Sequence, residues 1–400
     1  MAAGARGARP GSAEGRGVTA AAAFLMATSA IGPGFLTQTA VFTGRLGNDF
    51  GFAIIVSVLL ALAVQVNVWR VIGSSGRRAP ELASAVLPGL GEALTAVVFL
   101  GGLVFNVANV AGCGLGLAVF GVPEGVGAVL SAAFVALLLA SPRAGAAMDG
   151  VARTLGLLMI LLTAFVALSS HPDAGAALRS SLWPGRIEVL PVVTLLGGTV
   201  GGYIPFSGAH RLLDAGLRGP LAMGRIVRSA VLGVAIAAAM RALLFLAVLG
   251  VVGHGAALDP SNPPASAFRL GAGEWGYRLF GVVLWSAALT SIVGCTYTSV
   301  SFLESTWALA RRRGAAAGAF VALSLALFLG LRQPVRLLIL AGSLNGLILP
   351  ATLLVTLLAA RRRDLLAGYR HPRWLAGAGW AALAVATAAA ALALGDLRRL

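Results

Sequence analysis

The sequence contains no lysine, so all thirty of its basic residues are arginines. A Walker A loop needs a lysine to reach the nucleotide phosphates, and ATP-driven transport by this chain alone is therefore excluded. Its two cysteines, Cys113 and Cys295, lie in separate apolar stretches and predict no disulfide framework. The four histidines are scattered, without the HExxH or Cys/His spacing of a zinc site. No span holds a Ser-His-Asp set or paired carboxylates, so we expect neither an enzyme nor an organic cofactor.

Charged residues are also scarce. They make up 11% of the chain against 58% hydrophobic residues, whereas a soluble chain carries about 25% charged residues. This composition predicts a polytopic membrane protein whose main partner is the lipid bilayer. The net charge of +16 is spread over short arginine clusters between apolar stretches. Because no solvated basic face interleaved with aromatic residues exists, we expect no nucleic-acid partner.

Eleven apolar stretches predict an all-α architecture. Residues 1–17 before them are rich in Gly, Ala and Arg and are predicted to be a disordered cytoplasmic tail. The first stretch imitates a signal peptide, but it continues as far as Phe42, so we interpret it as a retained first span. The spans are predicted at residues 19–44, 50–72, 93–120, 125–141, 150–170, 191–210, 228–254, 276–304, 316–331, 335–359 and 374–394.

The arginines predict the orientation of these spans. Most of them fall in connections that share the side of the N-terminal tail, which places the N-terminus in the cytoplasm. An odd number of spans then places the C-terminus outside, with the protein multi-pass in the cytoplasmic (inner) membrane. The longest outside loops, residues 171–190 and 255–275, are too short to form a separate domain. Residues 18–396 are therefore predicted to form a single transmembrane domain.

Two spans contain glycine and proline where a continuous helix requires other residues. Gly201-Gly202-Tyr203-Ile204-Pro205 interrupts the sixth span, and the first is interrupted from Gly32-Pro33-Gly34 through Thr43-Gly44. A helical Gly costs about 1 kcal/mol relative to Ala, and Pro removes a backbone hydrogen bond. Freed backbone groups in lipid must face protein or water, so a broken helix lines a cavity. One such span in each half predicts a secondary transporter with inverted repeats that works by alternating access.

These segments resemble the NRAMP divalent-metal transporter family. The similarity rests on Gly32-Pro33-Gly34-Phe35-Leu36, on Gln65 late in the second span, and on Gly198-Thr199-Val200 entering the sixth. It implies the LeuT-type fold, in which a five-helix repeat recurs upside down and broken helices 1 and 6 hold a transition-metal ion that is co-transported with protons. The 5+5 repeats would then cover residues of about 18–170 and 190–360, and one extra helix would follow at about 374–394.

The metal ligands that the resemblance implies do not carry over. The family's Asp-Pro-Gly-Asn motif falls on Thr43-Gly44-Arg45-Leu46, and its Met-Pro-His motif falls on Gly201-Gly202-Tyr203. Its acidic residues in helix 3 fall on Asn106 and Asn109. A metal ion that sheds water needs carboxylate or thioether ligands, and Arg45 repels a divalent cation by about 4 kcal/mol per unit charge at ~4 Å. We therefore predict no metal ligands, and a coupling ion, H⁺ or Na⁺, that does not depend on the two asparagines.

The predicted binding site consists of neutral hydrogen-bonding side chains and of backbone groups that glycine leaves accessible. We predict that the substrate binds to Gln38, Thr39, Thr43, Gly44, Asn106, Asn109, Gly201, Gly202, Tyr203 and Ser207. Helix N-termini carry partial positive charge and receive carboxylates, which favours a small organic carboxylate or amino-acid-like solute. Three alternatives remain open: a divalent metal ion (Mn, Fe or Mg) as the resemblance implies, a channel, and a packing role in which these small polar residues join helices.

Charged residues near the ends of the spans are predicted to act in gating. Arg45 lies near the outer mouth, and His210, Arg211 and Asp214 share helical faces at the inner end of the sixth span. An ordinary solvated helix end is the alternative for these three. Arg241 is also predicted to act in gating. It lies within the seventh span, where a charge costs about 2.5–3.5 kcal/mol, so we expect it to face the interior or a water-filled path.

Overall fold

The computed structural model describes residues 31–140, 142–306 and 313–397, and the side chains of residues 140, 142–153, 396 and 397 are outside the description. Within these ranges the chain is helical and contains no strand. The helices are α1 (Pro33–Leu46), α2 (Phe50–Ser75), α3 (Ala79–Val86), α4 (Leu90–Ala118), α5 (Glu124–Ala140), α6 (Pro142–Ser169), α7 (Ala174–Leu182), α8 (Val189–Val200), α9 (Ile204–Asp214), α10 (Met223–Gly253), α11 (Pro263–Thr306, kinked at Gly273), α12 (Arg313–Leu331), α13 (Pro334–Arg361) and α14 (Arg373–Leu397).

All eleven predicted apolar stretches coincide with helices, as far as they fall within the described ranges. Eight of the described segments are long and apolar enough to cross a membrane, and the count rises to nine if a pair bent by 105°, Thr154–Ser169 with Ala174–Leu182, forms one span. The all-α, multi-pass class is confirmed, whereas the number eleven stays a prediction. The predicted cytoplasmic tail, residues 1–17, lies outside the described residues.

The interruption of the sixth span is where the sequence predicts it. α8 ends at Val200 and α9 begins at Ile204, and Gly202 between them has a φ of +54°. A left-handed backbone of this kind is routine for glycine alone. Pro205 follows within the first turn of α9, where its missing N–H leaves no helical acceptor unpaired.

The interruption of the first span is shorter than predicted. Pro33 stands in the first turn of α1, and the helix then continues through Thr43 and Gly44 to Leu46. The predicted irregular stretch through Thr43-Gly44 is therefore wrong, because one helical glycine costs only about 1 kcal/mol and does not by itself break a helix. Gly47, with a φ of +55°, ends the helix instead. The described part of this span begins at Ile31, so a break at Gly32-Pro33 stays a prediction.

The broken sixth span is the most enclosed element of the bundle. Within the apolar window of Val189–Asp214, 94% of the residues are buried, against 28% for α12 and 33% for Arg373–Gly395. α8 packs along α13, and α4 packs along α11. The two broken segments are thus surrounded by other helices, while α12 and α14 form the periphery.

Helix α2 sets the distance between the two ends of the bundle. Its 26 residues rise about 39 Å at 1.5 Å per residue, so Asp49 before it and Arg78 after it lie at opposite ends. Arg45, in the last turn of α1, lies near Asp49 at one end. We call these two ends the Arg45 end and the Arg78 end.

Candidate functional site: the junction of two broken spans

The centre of the bundle is the place where α1 begins and α8 gives way to α9. The residues that precede α1 and α9 are Gly32 and Tyr203, and neither helix has a side chain that caps its first N–H groups. Both positions are buried. In α9 the N–H groups of Ile204 and Phe206 donate to the carbonyls of Gly201 and Tyr203, and Pro205 has no N–H. The two helix N-termini therefore bring partial positive charge to the interior, where it is available to a ligand.

A cluster of polar side chains adjoins both N-termini. The Tyr203 hydroxyl lies beside the Asn109 amide and the Cys295 thiol. A Cβ at Gly32 would lie 2.8 Å from the Ser291 hydroxyl oxygen and 3.7 Å from Asn109 Oδ1, so only glycine admits these groups so close to the backbone. The hydroxyls of Tyr203 and Ser291 and both amide atoms of Asn109 have no hydrogen-bond partner within the described residues. Buried polar atoms are normally paired, and such a set marks a ligand or water site.

Asn345 on α13 supports the break from the opposite side. Its Nδ2 donates to the carbonyls of Gly101, at 3.0 Å, and Ala341, at 2.9 Å. Its Oδ1 is unpaired and would lie 1.9 Å from a Cβ at Gly202. Gly201 is equally close to the Asn345 backbone, since a Cβ there would approach the Asn345 carbonyl to 2.6 Å. The double glycine therefore lets α13 pack directly against the break.

Four of the predicted substrate-binding residues lie along α1 and differ in environment. Gln38 donates through Nε2 to the Leu338 carbonyl at 2.8 Å, and its Oε1 is buried and unpaired. The hydroxyls of Thr39 and Thr43 donate to carbonyls of their own helix, at 2.7 and 2.6 Å. Gly44 is exposed at the far end of α1. The structure thus brings Gln38 next to the break and leaves Thr43 and Gly44 away from it.

The remaining predicted binding residues are all buried. The amide of Asn106 donates to the Ser324 hydroxyl at 3.0 Å, so this side chain points towards α12. Asn109 instead faces the two helix N-termini. The Ser207 hydroxyl, one turn into α9, is buried and has no partner in the part of the chain that the structure describes. Of the two asparagines, Asn109 belongs to the central cluster, and Asn106 is tied to a neighbouring helix.

The Arg78 end is closed by ion pairs between four elements. The Arg78 guanidinium contacts Asp214 at 2.9 Å and Glu304 at 3.8 Å. Asp214 also accepts a hydrogen bond from the Tyr297 hydroxyl, and Glu304 pairs with Arg313. These contacts join the loop before α3 to the end of α9, the end of α11 and the start of α12.

Two of the predicted gating residues at this end have other partners than expected. His210 is fully buried, where its Nε2 accepts from the Ala79 N–H at 3.2 Å and its Nδ1 meets the Ser301 hydroxyl at 3.2 Å. Arg211 lies over the Tyr297 ring, with 5.3 Å from its Cζ to the ring centroid. The helical spacing suggested pairs of Asp214 with these two residues, but Arg78 supplies the charge that faces Asp214.

The Arg45 end is closed by a second set of contacts. Arg45 pairs with Glu188 at 2.6 Å. Asp49 accepts hydrogen bonds from the N–H groups of Gly185 and Arg186, at 3.1 and 3.0 Å. The end of α1 is thereby tied to the segment that enters α8. Arg45 faces this ion pair rather than the centre, and the buried centre is closed at both ends.

The sequence interpretation missed several residues that complete these contacts. Asn345 is the one amide in the apolar stretch of α13, and its flanking Gly342 and Gly346 were the available signal. Ser291 and Cys295 lie in the polar run of α11. No local sequence pattern pointed to Arg78 or Glu188, because their ion-pair partners are far away in the sequence.

Ligands for a metal ion are scarce at the junction. The half-helix begins at Gly32-Pro33-Gly34-Phe35, and the break of the sixth span is Gly201-Gly202-Tyr203. Neither segment carries a carboxylate, an imidazole or a thioether. In the part of the chain that the structure describes, no group of three or more His, Cys, Asp and Glu side chains comes together. Because Thr43 to Leu46 are helical, the part of the first span that adjoins the junction is Gly32 to Phe35, at the start of α1, rather than the four residues predicted from the resemblance.

The fold is shared with solved transporters. A mutant of the Eremococcus coleocola manganese transporter superposes with a TM-score of 0.76 at 16% identity, covering 97% of this chain and 88% of that chain. MhsT in complex with L-phenylalanine superposes with a TM-score of 0.65 at 14% identity, covering 93% of this chain and 97% of the other. The family model described as natural resistance-associated macrophage protein-like (Nramp) matches residues 23–395. The chain belongs to the Nramp family.

Nramp proteins are transporters rather than enzymes, and the chain is accordingly a multi-pass membrane transporter with the LeuT-type fold. Two relatives are similar over most of their length. The uncharacterized membrane protein YcsG of Bacillus subtilis is 49% identical over 361 residues, 90% of this chain and 89% of that protein. An uncharacterized membrane protein of Haemophilus influenzae is 47% identical over 367 residues, 91% of this chain and 92% of that protein.

Proposed function

We propose that this Nramp-family protein transports a small organic carboxylate or amino-acid-like solute, which binds where α1 begins and α8 is interrupted. One observation carries the proposal: among the residues that the structure describes, the junction offers neutral hydrogen-bonding groups and the positive ends of two helices, without an anionic or thioether ligand. The hydroxyls of Tyr203 and Ser291 and the amide of Asn109 can donate to or accept from such a solute. The helix N-termini favour its negative charge.

The same junction disfavours a divalent cation. A metal ion that leaves water must exchange its hydration shell for charged or soft ligands. Here it would meet uncharged oxygens, the Cys295 thiol, which already donates to the Gly102 carbonyl, and the positive ends of two helices, and Arg241 lies close by. The second candidate, transport of a divalent metal ion, is supported by the family and by the fold shared with a manganese transporter. The donor set argues against it, and the uptake experiment below decides between them.

Transport by alternating access requires the two closed ends to open in turn. The Arg45–Glu188 pair and the Arg78–Asp214 pair are the contacts that each opening would break. From the arginine distribution we assign the Arg78 end to the cytoplasm, with the protein in the cytoplasmic (inner) membrane, its N-terminus inside and its C-terminus outside. We propose H⁺ or Na⁺ as the coupling ion. The unpaired hydroxyls of Thr296 and Ser299 on α11 offer oxygens of the kind that bind Na⁺.

Uptake by the purified protein in liposomes tests the proposal. The substrates are ¹⁴C-labelled lactate, L-alanine, L-glutamate and L-phenylalanine, together with ⁵⁴Mn²⁺. We expect saturable uptake of at least one carboxylate and none of Mn²⁺, and dissipating the H⁺ or the Na⁺ gradient then identifies the coupling ion.

Two tyrosine variants locate the site in the same assay. Tyr203→Phe removes one hydrogen bond, so we expect KM for the carboxylate to rise about 2- to 12-fold, as a loss of about 0.5–1.5 kcal/mol predicts. Tyr277→Phe is the matched control, since this tyrosine lies on α11 beside Arg269 and away from the junction. Saturable Mn²⁺ uptake that Tyr203→Ala abolishes would overturn the proposal.

A further inference from the structure

The most unusual charge in the bundle is Arg241, which lies in the middle of α10 with 2% of its surface exposed. Its Nη1 donates to the Thr199 hydroxyl at 3.1 Å. Its guanidinium lies over the Phe35 ring, 4.1 Å from the centroid. Its Nε and Nη2 have no hydrogen-bond partner within the described residues. Thr199 stands just before the break of the sixth span and Phe35 stands in the first turn of α1, so the side chain borders the candidate site.

No carboxylate of the described residues compensates this charge. The ion pairs of the described chain lie at the Arg45 end, at the Arg78 end, in the first part of α11 and just after α13, and none of them includes Arg241. An uncompensated buried charge strongly destabilises a fold, and in membrane spans such residues mark solute and ion pathways. Arg241 therefore costs stability in the solute-free protein unless an anion arrives.

The two nitrogen atoms of this guanidinium that have no hydrogen-bond partner within the described residues lie on the same edge of the group. Nε and Nη2 are neighbours on one side of the planar group and donate two parallel hydrogen bonds, the geometry that matches the two oxygens of a carboxylate. Nη1, on the other side, is held by Thr199. A cavity of about 10 Å³ adjoins the group and is lined by Ser57, Thr199, Ala237 and others. This volume suits about one water molecule, so a carboxylate enters only when the helices around it move apart.

We propose that Arg241 is the carboxylate-binding residue of the transporter, which rests on the proposed function and narrows its substrate class to solutes with a free carboxylate. The Nε and Nη2 donors bind the two carboxylate oxygens, and the Phe35 ring and Thr199 hold the guanidinium in place. The solute supplies the negative charge that the fold lacks. The occupied site is then electrically neutral, which lowers the cost of enclosing the solute in a low-dielectric interior.

Three variants test this role. Arg241→Gln removes both the charge and the pair of parallel donors, Nε and Nη2. Arg241→Lys keeps the charge but lacks the two parallel donors. Arg228→Gln is the matched control on the exposed face of the same helix. The assay is uptake of [¹⁴C]lactate and [¹⁴C]L-alanine into liposomes, in competition with unlabelled lactamide and L-alaninamide. The thermal stability of the solute-free purified protein is measured alongside.

We expect wild type and Arg228→Gln to take up the carboxylate and to ignore the amide. For Arg241→Gln we expect KM to rise at least 30-fold and the preference for carboxylate over amide to disappear, with an intermediate loss for Arg241→Lys. The solute-free Arg241→Gln protein is expected to be as stable as wild type or more so, because it has lost an uncompensated charge.

The outcomes separate the two proposals. Carboxylate uptake with unchanged KM and selectivity in Arg241→Gln would refute the role of Arg241 and leave the proposed function intact. A solute-free Arg241→Gln protein that is clearly less stable than wild type would also refute it, because the arginine would then be structural. If wild type takes up neither acid but takes up Mn²⁺, the proposed function fails together with this inference.

Discussion

Gly202→Ala is the substitution whose effect the structure predicts most sharply. Gly202 has a φ of +54°, and a left-handed backbone costs a non-glycine residue about 1–2 kcal/mol. The new Cβ would also lie 1.9 Å from Asn345 Oδ1, and forcing extra atoms into a packed interior costs about 1–3 kcal/mol. Together these terms predict a loss of about 2–5 kcal/mol in the free energy of unfolding.

Gly318→Ala serves as the control of opposite sign. Gly318 lies inside α12, and a Cβ there meets no atom within 4 Å. Because alanine favours a helix over glycine, we expect a gain of about 0.5–1 kcal/mol. The free energies come from unfolding in mixed micelles by titration with dodecyl sulfate, and solute uptake is recorded on the same samples.

A double-mutant cycle separates the two contributions to the loss. In the Asn345→Ala background the clash is relieved, so Gly202→Ala should then cost only the backbone part, about 1–2 kcal/mol. Equal costs in both backgrounds would show that Asn345 does not press on Gly202. A neutral Gly202→Ala variant with normal uptake would refute the description of the break altogether.

Two further predictions concern the ends of the molecule. Asp214→Asn weakens the contact with Arg78, which is worth about 1 kcal/mol or less since it is partly exposed. We expect up to about a five-fold population shift towards the state open at the Arg78 end, measured by labelling of a cysteine placed at the buried Thr298, and unchanged labelling would contradict it. Burial, together with the nearby Arg70 charge, lowers the pKa of His371 from 6.5 to about 4. The neutral imidazole thus contributes stability that is fully present above pH 6.5 and lost as the pH falls through about 4, and thermal unfolding of His371→Asn should lack this part of the pH dependence.

The composition, together with the glycine and proline positions within the spans, was sufficient to predict the fold class. Apolar runs identify helices in lipid because no other open structure satisfies the backbone there. The double glycine and proline of the sixth span also located its break, Gly201 to Tyr203, correctly. These features are local, and each acts through the backbone of its own segment.

The first span shows where local reasoning fails. Gly32-Pro33-Gly34 and Gly44 look alike as helix breakers, but Pro33 fits the first turn of a helix and Gly44 is tolerated inside one. Counting the family motif forward from Gly32 therefore placed the ligand positions on Thr43 to Leu46, at the end of a regular helix. Only the three-dimensional structure showed that the start of α1 itself adjoins the interrupted sixth span.

Long-range partners were likewise not predictable. Asp214 pairs with Arg78 and Arg45 pairs with Glu188, and both pairs join residues that are more than a hundred positions apart. Helical spacing could suggest only neighbours within one turn or so, which is why Arg211 was expected to face Asp214. Arg241 was predicted to face the interior, and the structure adds that two of its donors are unpaired.

The most direct test of the substrate assignment is anomalous X-ray scattering from crystals of the wild-type protein grown with MnCl₂, compared with crystals grown with a bromine-labelled carboxylate, 3-bromopropionate. The account predicts a bromine peak between the start of α1 and the break at Gly201–Tyr203, close to Arg241, and no manganese peak there. A manganese peak at this junction, with no bromine peak, would contradict it.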